Sequence, residues 1–192
     1  SGNHLVEATL HALFELIERD AVARLEVNGH LKIKERCHVV ELQTITDGEL
    51  QRILDKIENA QSKLVLLWVP SCVSIHTFWA ILLNKAPFSA LSTLNAGYGT
   101  HFDLNVAAAR AITEAIQSRL TLIHGARDDI IAKPVYKATG PITNRAYHYF
   151  DCLTSDTTWQ SVTEQVRYSN PDLHCTYEYL LSTLATAGHD QI

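Results

Sequence analysis

Apolar residues along the first 27 positions recur at three- and four-residue intervals: Val6, Leu10, Leu13, Phe14 and Ile17. That period predicts one long helix over 3–27 with a single apolar face. The period changes at "RCHVVELQTI" (36–45), where β-branched residues predict a strand. Asp47 in "TDGELQRILDKIENA" is placed to cap a second helix reaching about Ala60. "KLVLLWV" and "IHTFWAILL" read as strands, and "PSCVS" between them predicts a hairpin. "ALSTLNAGYGTHFD" reads as a further strand running into a glycine turn. Asp103 then opens an alanine-rich helix through about Ile123, with Gly125 as its stop. Residues 126–155 mix Gly, Pro, Asp and Thr and read mostly as loop. "TTWQSVTEQVRYS" and "DLHCTYEYLLSTLATAG" predict two final helices, the second ending at Gly188. The order of elements predicts an α+β fold in mixed layers, with long helices packed on a mostly antiparallel sheet, and one domain over 1–192.

Composition narrows the function. At 192 residues and 46 % apolar, the chain can bury a real core. Its net charge of −5 excludes the clustered Lys and Arg that a nucleic-acid surface needs. "LVLLWVP" is too short to cross a bilayer, so no membrane role is expected. Cys37, Cys72, Cys152 and Cys175 are scattered without a CxxC pair, which reads as free thiols of a reducing cytoplasm. The ten histidines form no HExxH or HxxxH pair, only the looser "HLVEATLH". The chain starts at Ser1 and contains no Met, as expected of a piece of a longer protein. Strand edges left open by such a cut favour a homodimer.

The first helix carries the unusual chemistry. At about 100° per residue, Glu7, Glu15 and Glu18 fall within about 80° of one another, beside the apolar face. His11 lies in the same stripe and Asn3 at its margin, and no Lys or Arg precedes Arg19. Like charges at this spacing oppose the helix by a few tenths of a kcal/mol per pair. Either the stripe is a solvated face, helped at Glu7 by the helix dipole, or divalent cations supply the missing charge. Mg²⁺ is held by a few carboxylates and completed by water and phosphate. In the second case Arg19 points at phosphate.

A second stripe accompanies it. Arg110, Glu114 and Gln117 stand at i, i+4 and i+7 in the alanine-rich helix. Arg before Glu is the weaker order for an intrahelical pair, whereas a guanidinium suits bidentate phosphate contact. "GYG" before this helix lacks Walker spacing and its lysine, so it carries no phosphate-loop assignment.

"SGNHLVEATLHALFELIERDAVA" together with "GYGTHFDLNVAAARAITEAIQSRLTLIHGARDD" resembles the YcaO family, particularly its TfuA-associated members. The matching pattern is an S-G-N start, Glu7, Glu15 and Glu18–Arg19, then Arg110, Glu114 and the run Gln117–Ser118–Arg119. The resemblance implies ATP and Mg²⁺ as cofactors. It also implies phosphorylation of a peptide amide oxygen, followed by attack of a Cys, Ser or Thr side chain to give azolines, or of sulfide to give thioamides. By motif it assigns Asn3, Glu7, Arg19, Arg110 and Glu114 to the nucleotide and Glu7, Glu15 and Glu18 to metal, and it assigns no catalytic nucleophile. The implied substrate is a ribosomally made peptide or protein, with a TfuA-type protein as a possible partner. The chain then corresponds to the central and C-terminal core of such a protein, a partial YcaO domain without the N-terminal half and the C-terminal end. The alternative implied function is a non-catalytic YcaO-like scaffold that binds a precursor peptide or a TfuA-type partner.

Overall fold

In the computed structural model, residues 2–27, 33–85, 93–124, 145–168, 170 and 172–189 are described. Its centre is a four-stranded sheet in sequence order, every neighbour antiparallel. Strand β2 (Ser62–Trp68) and β3 (His76–Asn84) form the hairpin, with Val65 opposite Ile81. All nine residues of β3 are buried, which is why its sequence is a continuous apolar run and does not alternate. Strand β4 (Leu94–His101) closes one edge, and β1 (His38–Val39) the other.

Both faces of the sheet are covered. On one, Leu64, Leu66, Phe78, Ala80 and Leu82 pack against helix α3 (Gly48–Asn59), helix α4 (Leu104–His124) and Trp159 of the short helix α6 (Trp159–Thr163). On the other, Val65, Leu67, Trp79, Ile81 and Leu83 meet three segments. These are the last turns of α1 (Leu5–Val27), the single turn α2 (Ile33–Arg36), and Tyr147 and Phe150 of α5 (Arg145–Asp151). The first half of α1 touches the sheet only at its margin, Phe14 against His101 of β4. Its Leu10, Leu13, Phe14 and Ile17 pack with Leu180 and Leu184 of α7 (Leu173–Thr186).

Most ends of elements are where the cap residues place them. Asp47 accepts hydrogen bonds from the N–H groups of Glu49 and Leu50, and Asp103 from those of Asn105 and Val106. Gly188, at φ 91°, ends α7, and the His189 N–H donates back to the Leu184 carbonyl. No helix among the described residues is long and apolar enough to cross a membrane.

Three expectations change. The strand expected over 36–45 shrinks to β1, a bridge at Val40 and a 3-10 turn at Leu42–Thr44. Side chains take over the backbone groups there: Asp156 accepts from the Val39 N–H at 2.7 Å, and Thr44 accepts from the Trp159 N–H at 2.9 Å. The glycine turn is not a turn, because Gly97 and Gly99 lie inside β4. A Cβ on Gly97 would stand 2.2 Å from the Ala115 nitrogen, and one on Gly99 2.2 Å from the Ala107 oxygen. The glycines, with fully buried Ala107, Ala111 and Ala115 opposite, let α4 lie directly on β4. Finally, the region expected to be mostly loop contains α5, whose Tyr147 and Phe150 cap the core. Residues 125–144, including the expected stop at Gly125, lie outside the described residues.

Candidate nucleotide and metal site

Helix α1 contacts β4, and α4 lies on the sheet face beside it, so the two polar stripes converge at the β4 edge. The register explains one contact. The Asn84 N–H donates to the Thr93 carbonyl, so odd positions of β4 bond to β3 and even positions face outward. Tyr98 is even, and its outward N–H donates to Glu114 Oε2 at 2.8 Å. Glu114 therefore caps an edge that has no further strand among the described residues.

Glu18 approaches from α1. It is only 5 % exposed, and no described residue gives it a hydrogen bond or an ion pair. Its carboxyl is pushed above the usual carboxylate range, first by burial and next by the charge of Glu114; Arg110 and Arg19 oppose this, and Glu15 adds to it. Arg110 Nη1 lies 3.3 Å from His11 Nδ1. Thus α4 contributes Arg110 and Glu114, and α1 contributes His11, all half-buried, to a cluster around the buried Glu18. Burial beside the Glu114 carboxylate makes the charge of Glu18 costly, and a proton or a cation relieves that cost.

The remaining residues of the stripe are placed differently. Glu7 is half-buried; its carboxylate accepts the Asn3 N–H at 2.8 Å and lies 3.9 Å from His11 Nε2. Asn3 is exposed at the helix start. Glu15 and Arg19 pair with each other at 3.9 Å on the solvent side, where the Glu15 side chain is 64 % exposed. Arg19 is thus directed to Glu15, and the stripe is partly neutralised from within by Arg19. On α4, Gln117 is exposed, while Arg119 stands about half a turn from Arg110 and donates to Ser62 Oγ at 3.1 Å. Arg119 ties α4 to the sheet, away from the cluster.

Two participants escaped the sequence reading. His11 was visible in the stripe, but its bond to Arg110 spans 99 positions. The Tyr98 N–H is a backbone group and leaves no mark in residue type. A groove of about 570 Å³ opens beside the cluster, lined by Glu7, His11, Phe14, His101, Asp103 and Tyr168 among others. His101 stays below its ordinary range chiefly through burial, partly offset by Asp103, whose N–H donates to His101 Nδ1 at 2.9 Å.

The cluster suits Mg²⁺ and phosphate on its own donor set. Glu18 is a buried carboxylate without a partner among the described residues, and Mg²⁺ needs only one or two carboxylates besides water and phosphate oxygens. No group of three or more His, Cys, Asp or Glu among the described residues converges into an all-protein cage. A shared site between carboxylates and phosphate is the arrangement this donor set allows.

The model of the YcaO cyclodehydratase family, described as ATP- and Mg²⁺-binding, matches residues 1–192. The chain belongs to the YcaO family. A protein in the tfuA 3′ region of Rhizobium leguminosarum bv. trifolii is 39 % identical over 133 residues, covering 67 % of this chain and 31 % of that protein. A Mycobacterium tuberculosis protein is 36 % identical over 130 residues, covering 68 % of this chain and 27 % of its own length. The chain therefore spans under a third of these relatives. Among solved structures, YcaO from Methanopyrus kandleri, bound with AMPPCP and Mg²⁺, aligns with a TM-score of 0.72 at 20 % identity, over 97 % of this chain and 47 % of that one. A heterocyclase in complex with substrate and cofactor aligns at 0.71 and 23 % identity, over 97 % and 24 %. These likenesses show that the YcaO fold is present, a mixed helical and antiparallel architecture.

Proposed function

We propose that this chain forms one wall of the nucleotide site in an ATP- and Mg²⁺-dependent enzyme that activates backbone amides of ribosomally made peptides or proteins. The observation that carries this reading is the buried Glu18 beside Glu114 and Arg110. Glu18, with Glu7 and Glu15, would hold metal; Asn3, Glu7, Arg19, Arg110 and Glu114 would bind the nucleotide. Bound MgATP supplies the phosphoryl group that turns the amide oxygen into a leaving group. Arg110 neutralises and orients phosphate oxygens through its planar fork. His11 holds that guanidinium in place, and the Tyr98 N–H fixes the carboxylate of Glu114. A site of charges without a side-chain nucleophile suits phosphoryl transfer, in which positioning and charge neutralisation dominate. The attacking atom is then a Cys, Ser or Thr of the substrate, giving an azoline, or sulfide, giving a thioamide; phosphate leaves with the amide oxygen. Identity to a protein of a tfuA 3′ region supports the thioamide branch and a TfuA-type partner.

A non-catalytic scaffold has no use for a buried carboxylate that no described residue hydrogen-bonds, which costs stability. The test is Glu18→Gln and Glu114→Gln in the full-length protein, measured for MgATP binding and ATP turnover beside thermal melts. Turnover should collapse in both, while Glu18→Gln holds or gains stability near neutral pH. The sign follows from the raised carboxyl: the folded state holds the proton more tightly, so its ionised form is penalised above the usual carboxylate range, and Gln removes the penalty. Wild-type turnover in both variants would remove the cluster from the mechanism.

A further inference from the structure

A second groove, of about 780 Å³, lies on the other side of the ridge made by Phe102, Asp103 and Tyr168, which it shares with the groove beside Glu7 and His11. It runs between the N-termini of α3 and α4 and the residues after α6, with Leu104 and Trp159 supplying apolar surface. Four polar groups line it with unspent capacity. His76, first residue of β3, reaches its wall although only 1 % exposed, and its Nδ1 has no hydrogen-bond partner among the described residues. Asn105 Oδ1 is likewise buried and unpartnered. Asp47 and Asp103 each cap a helix through Oδ1, which leaves Oδ2 available. A structural account of the caps does not explain the orphaned atoms of His76 and Asn105, since buried polar groups are normally satisfied.

Three of these groups accept hydrogen bonds, and two carry negative charge, so the occupant must donate and be cationic. Arg167, also in the lining, is exposed and offers donors to acceptors of a ligand. A ligand offering N–H donors, carbonyl acceptors and a positive side chain is a peptide with a basic residue. We propose that this groove is a substrate subsite that takes an extended peptide segment, with a lysine or arginine side chain between Asp47 and Asp103. This rests on the peptide-modifying function proposed above; the shared ridge puts the segment next to the Glu7–His11 groove and the cluster behind it.

The probes are the blocked peptides acetyl-Gly-Gly-Arg-Gly-Gly-amide and its counterparts with citrulline or glutamate in place of arginine. They are titrated without nucleotide into the full-length protein, by calorimetry and by the His76 ring signals in NMR. The arginine peptide should shift His76 and bind at least about tenfold tighter than the citrulline peptide. Asp47→Asn with Asp103→Asn should erase that preference, because Asn caps a helix as well as Asp but carries no charge. MgATP affinity should be unchanged by Asp47→Asn alone, since Asp47 lines this groove and not the one beside Glu7 and His11. The three probes also test the unmodified protein, so the outcome does not depend on the variant folding. Equal binding of all three, preference for glutamate, or a silent His76 because another part of the protein fills the groove would each overturn the proposal. Peptide preference without MgATP binding would sink the phosphoryl reading alone; MgATP binding without peptide preference would sink the groove alone.

Discussion

Replacing Gly97 by Ala tests whether the close seat of α4 on β4 sets the cluster. The added Cβ would meet the Ala115 nitrogen at 2.2 Å, the Ala111 oxygen at 2.3 Å and the Glu114 carbonyl carbon at 2.8 Å. All three are backbone atoms, so no rotamer change relieves them, and α4 must retreat by about 1 Å to restore ordinary contact. Overpacking of this kind costs about 1–3 kcal/mol. The same retreat strains the bond from the Tyr98 N–H to Glu114, now 2.8 Å long, and a charge-assisted bond is worth about 1.5–3 kcal/mol. Alanine's better fit to a strand returns under about 1 kcal/mol, leaving a net loss of roughly 2–5 kcal/mol. Hydrogen exchange at β4 and α4 in the full-length protein reads this locally, and a loss of about 3 kcal/mol means exchange faster by about a hundredfold. Gly48→Ala is the matched control, because a Cβ there meets nothing within 4 Å and the residue is helical. It should be neutral or stabilising by up to about 1 kcal/mol. ATP turnover should fall with Gly97→Ala and not with Gly48→Ala. Equal exchange in the two variants would refute the reasoning.

Two further outcomes are expected. His76, held neutral by burial at a pKa of about 4 against 6.5 when exposed, has Asp103 nearby favouring its charge and His101 opposing it. The unfolded chain binds the proton first, so stability falls as pH drops from about 6.5 to about 4, by up to about 3 kcal/mol. Denaturation across that range should show the slope flattened in His76→Gln, and an unchanged slope would remove His76 as its source. Glu15→Gln loses only an exposed pair with Arg19, so stability should change by no more than about 0.5 kcal/mol, while ATP turnover drops if Glu15 holds metal. Full turnover would return Glu15 to a solvated face.

The elements that follow from local rules were legible in residue order alone. Helices α1, α3, α4 and α7 show their apolar periods and the caps Asp47, Asp103 and Gly188, and the β2–β3 hairpin its apolar runs and connecting turn residues. That Arg110 and Glu114 share one face is likewise local, since i and i+4 share a face of any helix. Neighbour-dependent features were not legible. Gly97 and Gly99 look like a turn until α4 is seen lying on them, and α5 owes its place to core contacts of Tyr147 and Phe150. Glu15 and Glu18 show the same limit at the site. They stand about 60° apart on one helix, and on the wheel they are equivalent members of one stripe. Packing against β4 and α4 makes Glu18 5 % exposed, while the Glu15 side chain is 64 % exposed beside Arg19. Residue type and spacing determine which charges share a face and give Glu15 its local partner Arg19; the burial of Glu18 beside Glu114 and Arg110 comes from a chain segment nearly a hundred positions away, so tertiary packing decides which glutamate is left without water.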